Sequence, residues 1–335
     1  MAADDTHRQG GAIVMRGYGG PDVLHFETVP LAALQPDEVR LRSIASAINH
    51  SDLEIRAGNW AIRRPDPFPY TPGLEVVGEV VETGSGVSEF RVGNRAITMM
   101  QGLGGVRAHR PGGYAEYVVV GASAAAPLGA DTDPLAMAAL GLAGVTAFIG
   151  LEKMGDLANR RIAVTGAAGG VGSAAVAIAK AQGAEVVGIV SRAQHADYVR
   201  SLGAIEIMTA QDVANGALGS ETIDGLLDTV AGAGFAAYVN ALRPGGALSL
   251  VGAVGGSDVS FDAFRLVEVI LTGYSTENLD GRSLRQAVDA MADWLRNGAI
   301  VAPSRTPFAL REAAAAHGAL EEHRIQGRVL LVPDR

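Results

Sequence analysis

The 335-residue sequence contains no cysteine. Composition therefore excludes disulfides, thiol nucleophiles and thiolate-ligated zinc or iron–sulfur centres. Basic charge is scarce as well: 27 Lys and Arg stand against 36 Asp and Glu, a net charge of -9. Nucleic acid and anionic membrane surfaces both call for basic patches, so neither partner is expected. No run of roughly 18 uninterrupted apolar residues is present; the Ala-rich stretch 134–151 is broken by Gly141, Gly144 and Thr146. The opening Met1-Ala2-Ala3-Asp4-Asp5 is polar and lacks the apolar core of a signal peptide, and a cytoplasmic protein is the default expectation. What is plentiful is apolar surface, at 48% of residues, and glycine, with 44 copies. A chain of this length and composition is expected to fold as two domains enclosing a cleft that handles a small molecule.

Two textures follow one another along the chain. Residues 11–120 are β-rich, with runs such as Val39–Ile44, Val76–Val81, Arg95–Met99 and Tyr114–Val120 set between Gly, Pro, Asn and Asp clusters. From about residue 133 helical and β-like stretches alternate. A helix runs from Asp133 toward Met154, then strand Arg161–Thr165, helix Gly170–Gln182 and strand Glu185–Val190. Further strands are expected at Ile205–Met208, Ile223–Val230, Ala247–Val251 and Val267–Leu271. The simplest architecture for this alternation is a doubly wound parallel sheet of six strands. The tail, with helices at Ser283–Asn297 and Leu310–His323 and a strand at Val329–Val332, is expected to return to the first domain.

Between the first strand and its helix lies Thr165-Gly166-Ala167-Ala168-Gly169-Gly170-Val171-Gly172. A turn that holds a pyrophosphate needs glycines where a Cβ would block the phosphates, and it offers helix N-terminal amides to the anion. Gly169, Gly170 and Gly172 meet that need, although the usual first glycine is replaced by Ala167. After the second strand, NAD-binding proteins place an acid that accepts from the ribose hydroxyls. Here the residues are Ser191 and Arg192, a neutral donor and a guanidinium suited to a 2′-phosphate, which favours NADPH over NADH. His195 would add a further donor; an exposed helix-face histidine is the alternative reading.

With these residues in hand, the chain resembles the medium-chain dehydrogenase/reductase superfamily, specifically its zinc-free NADPH:quinone oxidoreductase branch. The resemblance is carried by Gly19-Gly20-Pro21-Asp22-Val23-Leu24, Asn49-His50-Ser51-Asp52, Pro72-Gly73-Leu74-Glu75-Val76-Val77-Gly78, Gly112-Gly113-Tyr114-Ala115-Glu116-Tyr117, Gly144-Val145-Thr146-Ala147 and Gln326-Gly327-Arg328-Val329. It implies an α/β chain with a GroES-like, β-rich catalytic domain at residues 1–125 and 265–335, enclosing a Rossmann domain at residues 126–264. It further implies a homodimer formed through the last Rossmann strand. The zinc relatives ligate metal through Cys, His and Cys. The matching positions are Asn49, Leu74 and Leu142, none of them a zinc donor, so no metal is expected and a zinc-type alcohol dehydrogenase is disfavoured.

The resemblance assigns Asn49, Asp52, Thr146, Gly169, Gly170, Val171, Ser191, Arg192, His195, Gly232, Val251, Gly252, Ala253 and Arg328 to cofactor contacts, and Asn49, Trp60 and Thr146 to catalysis. Asn49 can donate to a substrate oxygen without titrating. Trp60 stands where many relatives carry a tyrosine; its indole offers one N–H but no acidic proton. Such a site suits quinones, whose reduced product is a stabilised phenolate that water protonates later. The expected activity is hydride transfer from NADPH to quinones or related α,β-unsaturated carbonyls. The alternative is an NADPH-binding redox sensor with little turnover. Specificity is assigned to the loops Trp60–Phe68 and Met99–Pro111, the second carrying Arg107, His109 and Arg110.

Overall fold

Asn49 and Gly58 show how local chemistry places a short helix that the strand-rich texture of the first 120 residues conceals. The Asp52 side chain accepts from the Asn49 backbone amide at 2.8 Å and fixes the start of the helix, and Gly58 ends it in the left-handed region at φ 78°. The fold is that of a computed structural model describing residues 8–60, 68–103, 110–322 and 324–334. In chain order its elements are β1 (Gln9–Val14), β2 (His25–Pro30), β3 (Glu38–Ala47), α1 (His50–Ala57), β4 (Glu75–Thr83), β5 (Arg95–Met99), β6 (Tyr117–Gly121), β7 (Ala125–Leu128) and α2 (Pro134–Glu152). There follow β8 (Arg161–Thr165), α3 (Gly170–Ala181), β9 (Glu185–Val190), α4 (Ala196–Ser201), β10 (Glu206–Thr209), α5 (Ala210–Ala214), β11 (Ile223–Asp228), α6 (Phe235–Ala241), β12 (Leu242–Leu250) and β13 (Ile270–Gly273). The chain closes with α7 (Gly281–Arg296), β14 (Arg305–Ala309), α8 (Ala313–Glu321) and β15 (Arg328–Val332).

Two compact units result. The first comprises Met1–Leu142, Thr276–Ala292 and Ser304–Arg335; the second comprises Ala143–Ser275 and Asp293–Pro303. In the first, strands run β14-β15-β3-β4-β5-β7, with β6 pairing β3 and the hairpin β1-β2 beside them. Its core gathers Val39, Leu41, Val76, Val80, Ala96, Val118 and Val120. The run expected from Tyr114 becomes a strand only at Tyr117. The amides of Gly112, Gly113 and Tyr114 are already spent on the carbonyls of Thr71, Gly73 and Pro72, which holds that segment in a loop. Pro307 disguises β14, which lies at the edge of its sheet where a missing N–H costs little.

In the second unit six parallel strands run β10-β9-β8-β11-β12-β13, that is, third, second, first, fourth, fifth and sixth in chain order. This is the doubly wound order expected. The strands β8, β9 and β11 are buried almost throughout, as strands covered on both faces must be. The expected strand Val267–Leu271 starts later. Asp262 accepts from the Phe264 amide at 2.9 Å and caps a helical turn over Ala263–Val267, leaving β13 to begin at Ile270.

Helix α2 is long and apolar enough to cross a membrane by length and composition, but 83% of its apolar window is buried inside the protein. It is also bent: Gly141 has φ 42° inside it. A Cβ there would collide with the Glu75 carboxylate, which accepts from the Leu142 amide at 2.8 Å.

Candidate active site

In the second unit, every candidate residue that follows a strand sits at the carboxyl end of the parallel sheet. Gly166–Gly172 follow β8, Ser191 and Arg192 follow β9, Gly232 follows β11, and Val251, Gly252 and Ala253 follow β12. The ends of β8 and β11, where the strand order reverses, are stapled together. Thr165 Oγ1 donates to buried Asp228 at 2.6 Å, and Thr229 Oγ1 donates to the Thr165 carbonyl at 2.9 Å. Asp228 also accepts from the Val230 and Ala231 amides, fixing the loop that leads to Gly232 at φ 64°.

The turn after β8 explains its missing glycine. The left-handed residue is Gly166, at φ 57°, one place earlier than the usual position, so Ala167 is free to be buried. A Cβ at Gly172 would collide with the Gly166 carbonyl, which also accepts from Gly169 N at 2.8 Å. Gly169 caps α3 in extended conformation without a side-chain cap. The first amides of α3, at Gly170, Val171 and Gly172, therefore have no partner within the helix. A glycine-lined cradle ending in open amides fits the pyrophosphate of a dinucleotide.

Beyond β9, Ser191 and Arg192 are exposed and His195 is half-buried, in a short helical turn. Arg192 forms no ion pair among the described residues, whereas Arg161, Arg200, Arg243 and Arg265 of the same unit are all paired. Thr146 lies buried within α2.

In the first unit, Asn49, Asp52, Glu75 and Arg328 form a buried polar cluster. Asn49 Nδ2 donates to Glu75 at 2.8 Å and, more weakly, to Asp52 at 3.3 Å; its Oδ1 accepts from Arg328 at 2.9 Å. Arg328 also reaches Glu75 at 3.2 Å. The orientation of the amide follows from these charges: its oxygen faces the cation, its nitrogen the carboxylates. Asp52 accepts from the Asn49 amide at 2.8 Å and from the Leu74 amide at 3.1 Å. Burial pushes the Asp52 carboxyl up to about 7 and the Glu75 charge adds to the effect, while the Asn49 and Leu74 donors oppose it. Burial also raises Glu75, against the pull of Arg328. The one cation of the cluster is thus paired with Glu75, while Asp52 is held by the Asn49 and Leu74 donors. Arg328 Nε is buried without a hydrogen-bond partner among the described residues, leaving the guanidinium with donor capacity for an anion.

The arrangement brings Asn49, Asp52 and Arg328 together and adds Glu75, which the sequence offered, with His50 and Asp52, only as a disfavoured metal site or as a structural hydrogen-bonding group. Leu74 and Leu142 approach the cluster through backbone amides. Trp60 follows the end of α1, and its indole N–H is buried without a partner among the described residues. Of the two proposed specificity loops, residues 61–67 and 104–109, with Arg107 and His109, lie outside the described residues. Arg110 is held by Glu38 at 2.7 Å. Among the described residues no group of three or more His, Asp or Glu is arranged to hold a metal.

Two family descriptions match the chain: Alcohol dehydrogenase GroES-like domain over residues 35–130, and Zinc-binding dehydrogenase over residues 170–296. A putative quinone oxidoreductase, YhfP, of Bacillus subtilis is 29% identical over 321 residues, covering 92% of this chain and 94% of that protein. The acrylyl-CoA reductase AcuI of Ruegeria pomeroyi is 32% identical over 235 residues, covering 68% and 69%. Among solved structures, Escherichia coli quinone oxidoreductase complexed with NADPH superposes with a TM-score of 0.84 at 25% identity, over 96% of this chain and 100% of that one.

Proposed function

The chain belongs to the medium-chain dehydrogenase/reductase superfamily, in its quinone oxidoreductase branch, and from that premise we propose that it is an NADPH-dependent, zinc-independent reductase of quinones or related α,β-unsaturated carbonyls. The observation that carries this reading is the exposed guanidinium of Arg192, without an ion-pair partner among the described residues, directly behind β9. Bound NADPH would supply the hydride.

Gly169, Gly170 and Val171 offer amides to the pyrophosphate, and Ser191, Arg192 and His195 receive the 2′-phosphate. Gly232, Val251, Gly252 and Ala253 bring backbone close to the cofactor, and Arg328 has its Nε to offer a phosphate oxygen. Asn49, Asp52 and Thr146 belong to the nicotinamide surroundings. Hydride arrival leaves negative charge on the substrate oxygen, which needs a donor. The loosest bond of the Asn49 amide is the one to Asp52, and a substrate oxygen would take that hydrogen. The Trp60 indole N–H is a second donor, without a partner among the described residues. Neither group ionises, so the proton comes later from water, which suits quinones best.

Zinc independence is supported by ligand chemistry, since Asn49, Leu74 and Leu142 hold the positions where zinc relatives carry their donors. Dialysis against a chelator is expected to leave quinone-dependent NADPH oxidation unchanged. Loss of activity that zinc restores would overturn zinc independence. No NADPH consumption with any quinone or enone of a broad panel would overturn the reductase itself and favour a dinucleotide-binding sensor.

We infer a homodimer built on β13. That strand is the edge of its sheet, with one side of its backbone unpaired, and Phe264, Val267 and Ile270 beside it are 76%, 75% and 56% exposed. A second copy of the chain, paired strand to strand, would cover them. Ile270→Asp is expected to convert a dimer to a monomer in sedimentation equilibrium; wild-type protein sedimenting as a monomer at micromolar concentration would refute the assembly.

A further inference from the structure

A second buried polar chain adjoins the Asn49 cluster, and the proposed chemistry makes no use of it. His317, on α8, is fully buried. Its Nδ1 lies 3.4 Å from Arg56 Nη1 and its Nε2 lies 3.2 Å from the Tyr114 hydroxyl. Arg56 is itself anchored by the Gly19 carbonyl at 3.1 Å and by Glu321 at the outer end of α8. A guanidinium carries donors only, so the nitrogen facing it must be the acceptor. The imidazole is therefore the neutral Nε2–H tautomer, and that hydrogen points at the tyrosine oxygen. Burial, reinforced by Arg56, holds the ring down to about 3, so it stays neutral across the physiological range.

Tyr114 continues the sequence of donors. Its oxygen receives the imidazole hydrogen, which leaves its own hydrogen to point onward. Burial first, then the Asp52 and Glu75 carboxylates facing it, push the phenol well above its ordinary range, against the opposing pull of Arg328. It therefore remains a phenol, with its hydrogen free to turn to the side on which the Asp52 and Glu75 charges act on it. Asp52 is the group that competes for the loose hydrogen of Asn49. A hydrogen turned from Tyr114 toward Asp52 would satisfy part of its charge and weaken that competition.

We propose that His317, fixed in its tautomer by Arg56, is a positioning residue that acts through Tyr114 and Asp52 to keep the Asn49 amide aligned and available. This rests on the reading of Asn49 as a residue of the reacting site. It supplies a role for α8, which contributes no group to the cluster directly. Three segments far apart in sequence, at residues 56, 114 and 317–321, meet in one hydrogen-bonded line.

The test uses the full chain, with wild type, Tyr114→Phe, His317→Leu, His317→Gln, Asn49→Ala and the double variant Asn49→Ala/Tyr114→Phe. His317→Leu and Tyr114→Phe are expected to lower kcat about tenfold with little change in KM for NADPH, because alignment rather than binding is lost. His317→Gln keeps an N–H that can reach the tyrosine, and is expected to recover most of the loss. In the Asn49→Ala background Tyr114→Phe is expected to have no further effect. Ring nitrogen shifts of His317 should report a protonated Nε2 and a bare Nδ1, and the side-chain amide resonance of Asn49 should move in Tyr114→Phe; both readouts are independent of turnover. An Nδ1–H tautomer, an unmoved Asn49 amide, or full additivity of the two substitutions would overturn the positioning role. Unchanged kcat in Asn49→Ala, with the Asn49 resonance still moving in Tyr114→Phe, would instead overturn the placement of Asn49 at the reacting site.

Discussion

Replacing Arg192 by glutamate is expected to weaken NADPH binding by about 100-fold or more, while NADH binding holds or improves. Arg192 follows β9 in an extended conformation, is exposed, and has no ion-pair partner among the described residues. Its removal therefore costs the fold little, and thermal stability should be unchanged. Each hydrogen bond from a guanidinium to a phosphate is worth about 1.5–3 kcal/mol, and every 1.4 kcal/mol is about tenfold in affinity. Loss of a forked pair accounts for about 100-fold, and the new carboxylate adds repulsion toward the dianionic 2′-phosphate. That same carboxylate can accept from the 2′-hydroxyl of NADH, the role an acid plays at this place in NAD-binding proteins. Because the site is exposed, the wild-type preference should shrink as ionic strength rises. Fluorescence titrations with both dinucleotides, at low and high salt, measure all of this. An unaltered NADPH-to-NADH ratio in Arg192→Glu, or tighter NADH binding in the wild type, would remove Arg192 from the cofactor site.

Two buried groups of the first unit are expected to pull stability in opposite directions with pH. Asp52 is raised from its ordinary 3.8 to about 7 by burial and the Glu75 charge. Between those values the folded state holds a proton that the unfolded chain has released, so stability falls as pH rises, by about 1.4 kcal/mol per unit. His317 is lowered from 6.5 to about 3 by burial and Arg56. Over that window the unfolded chain binds the extra proton, so stability falls as pH falls, with a similar slope of about 1.4 kcal/mol per unit. From about pH 4 to 6.5 the two nearly cancel, and the wild type should show little dependence from this pair. Single substitutions unmask each partner. Relative to wild type, His317→Gln should lose stability progressively as pH rises through this window, and Asp52→Asn should lose it as pH falls. Denaturant unfolding at pH 4.5, 5.5 and 6.5 follows the differences, which removes the groups common to all three proteins. Parallel pH profiles for the three would show that neither group titrates as its burial requires.

The second unit was legible in the sequence almost throughout, because its signals are local. Continuous apolar runs mark strands covered on both faces, and the turn after β8 combines strand, glycines and helix within a dozen residues. Even its irregularity was visible: Ala167 stands where a glycine is usual, and the left-handed requirement moved to Gly166. The misplaced start of β13 came from a side-chain cap, Asp262 on the Phe264 amide, which competes with strand pairing over a few residues. In the first unit the eight-residue α1 was hidden by its strand-rich surroundings, and β14 by its proline.

What the sequence determined by itself was chemistry by exclusion and structure by period. A chain without cysteine, with an amide and two leucines at the zinc positions, fixes which donors a site can contain. Periodicity and turn residues fix the order of elements. Only the tertiary structure decided which charges meet. Arg328 reaches Asn49 across 279 positions and His317 reaches Tyr114 across 203. The bend at Gly141 exists because a carboxylate from β4 occupies the space a Cβ would take. No local pattern encodes such pairings. They arise because burial removes water, and a buried charge or polar atom must then be satisfied by whatever group the fold brings within hydrogen-bonding distance, however distant it is along the chain.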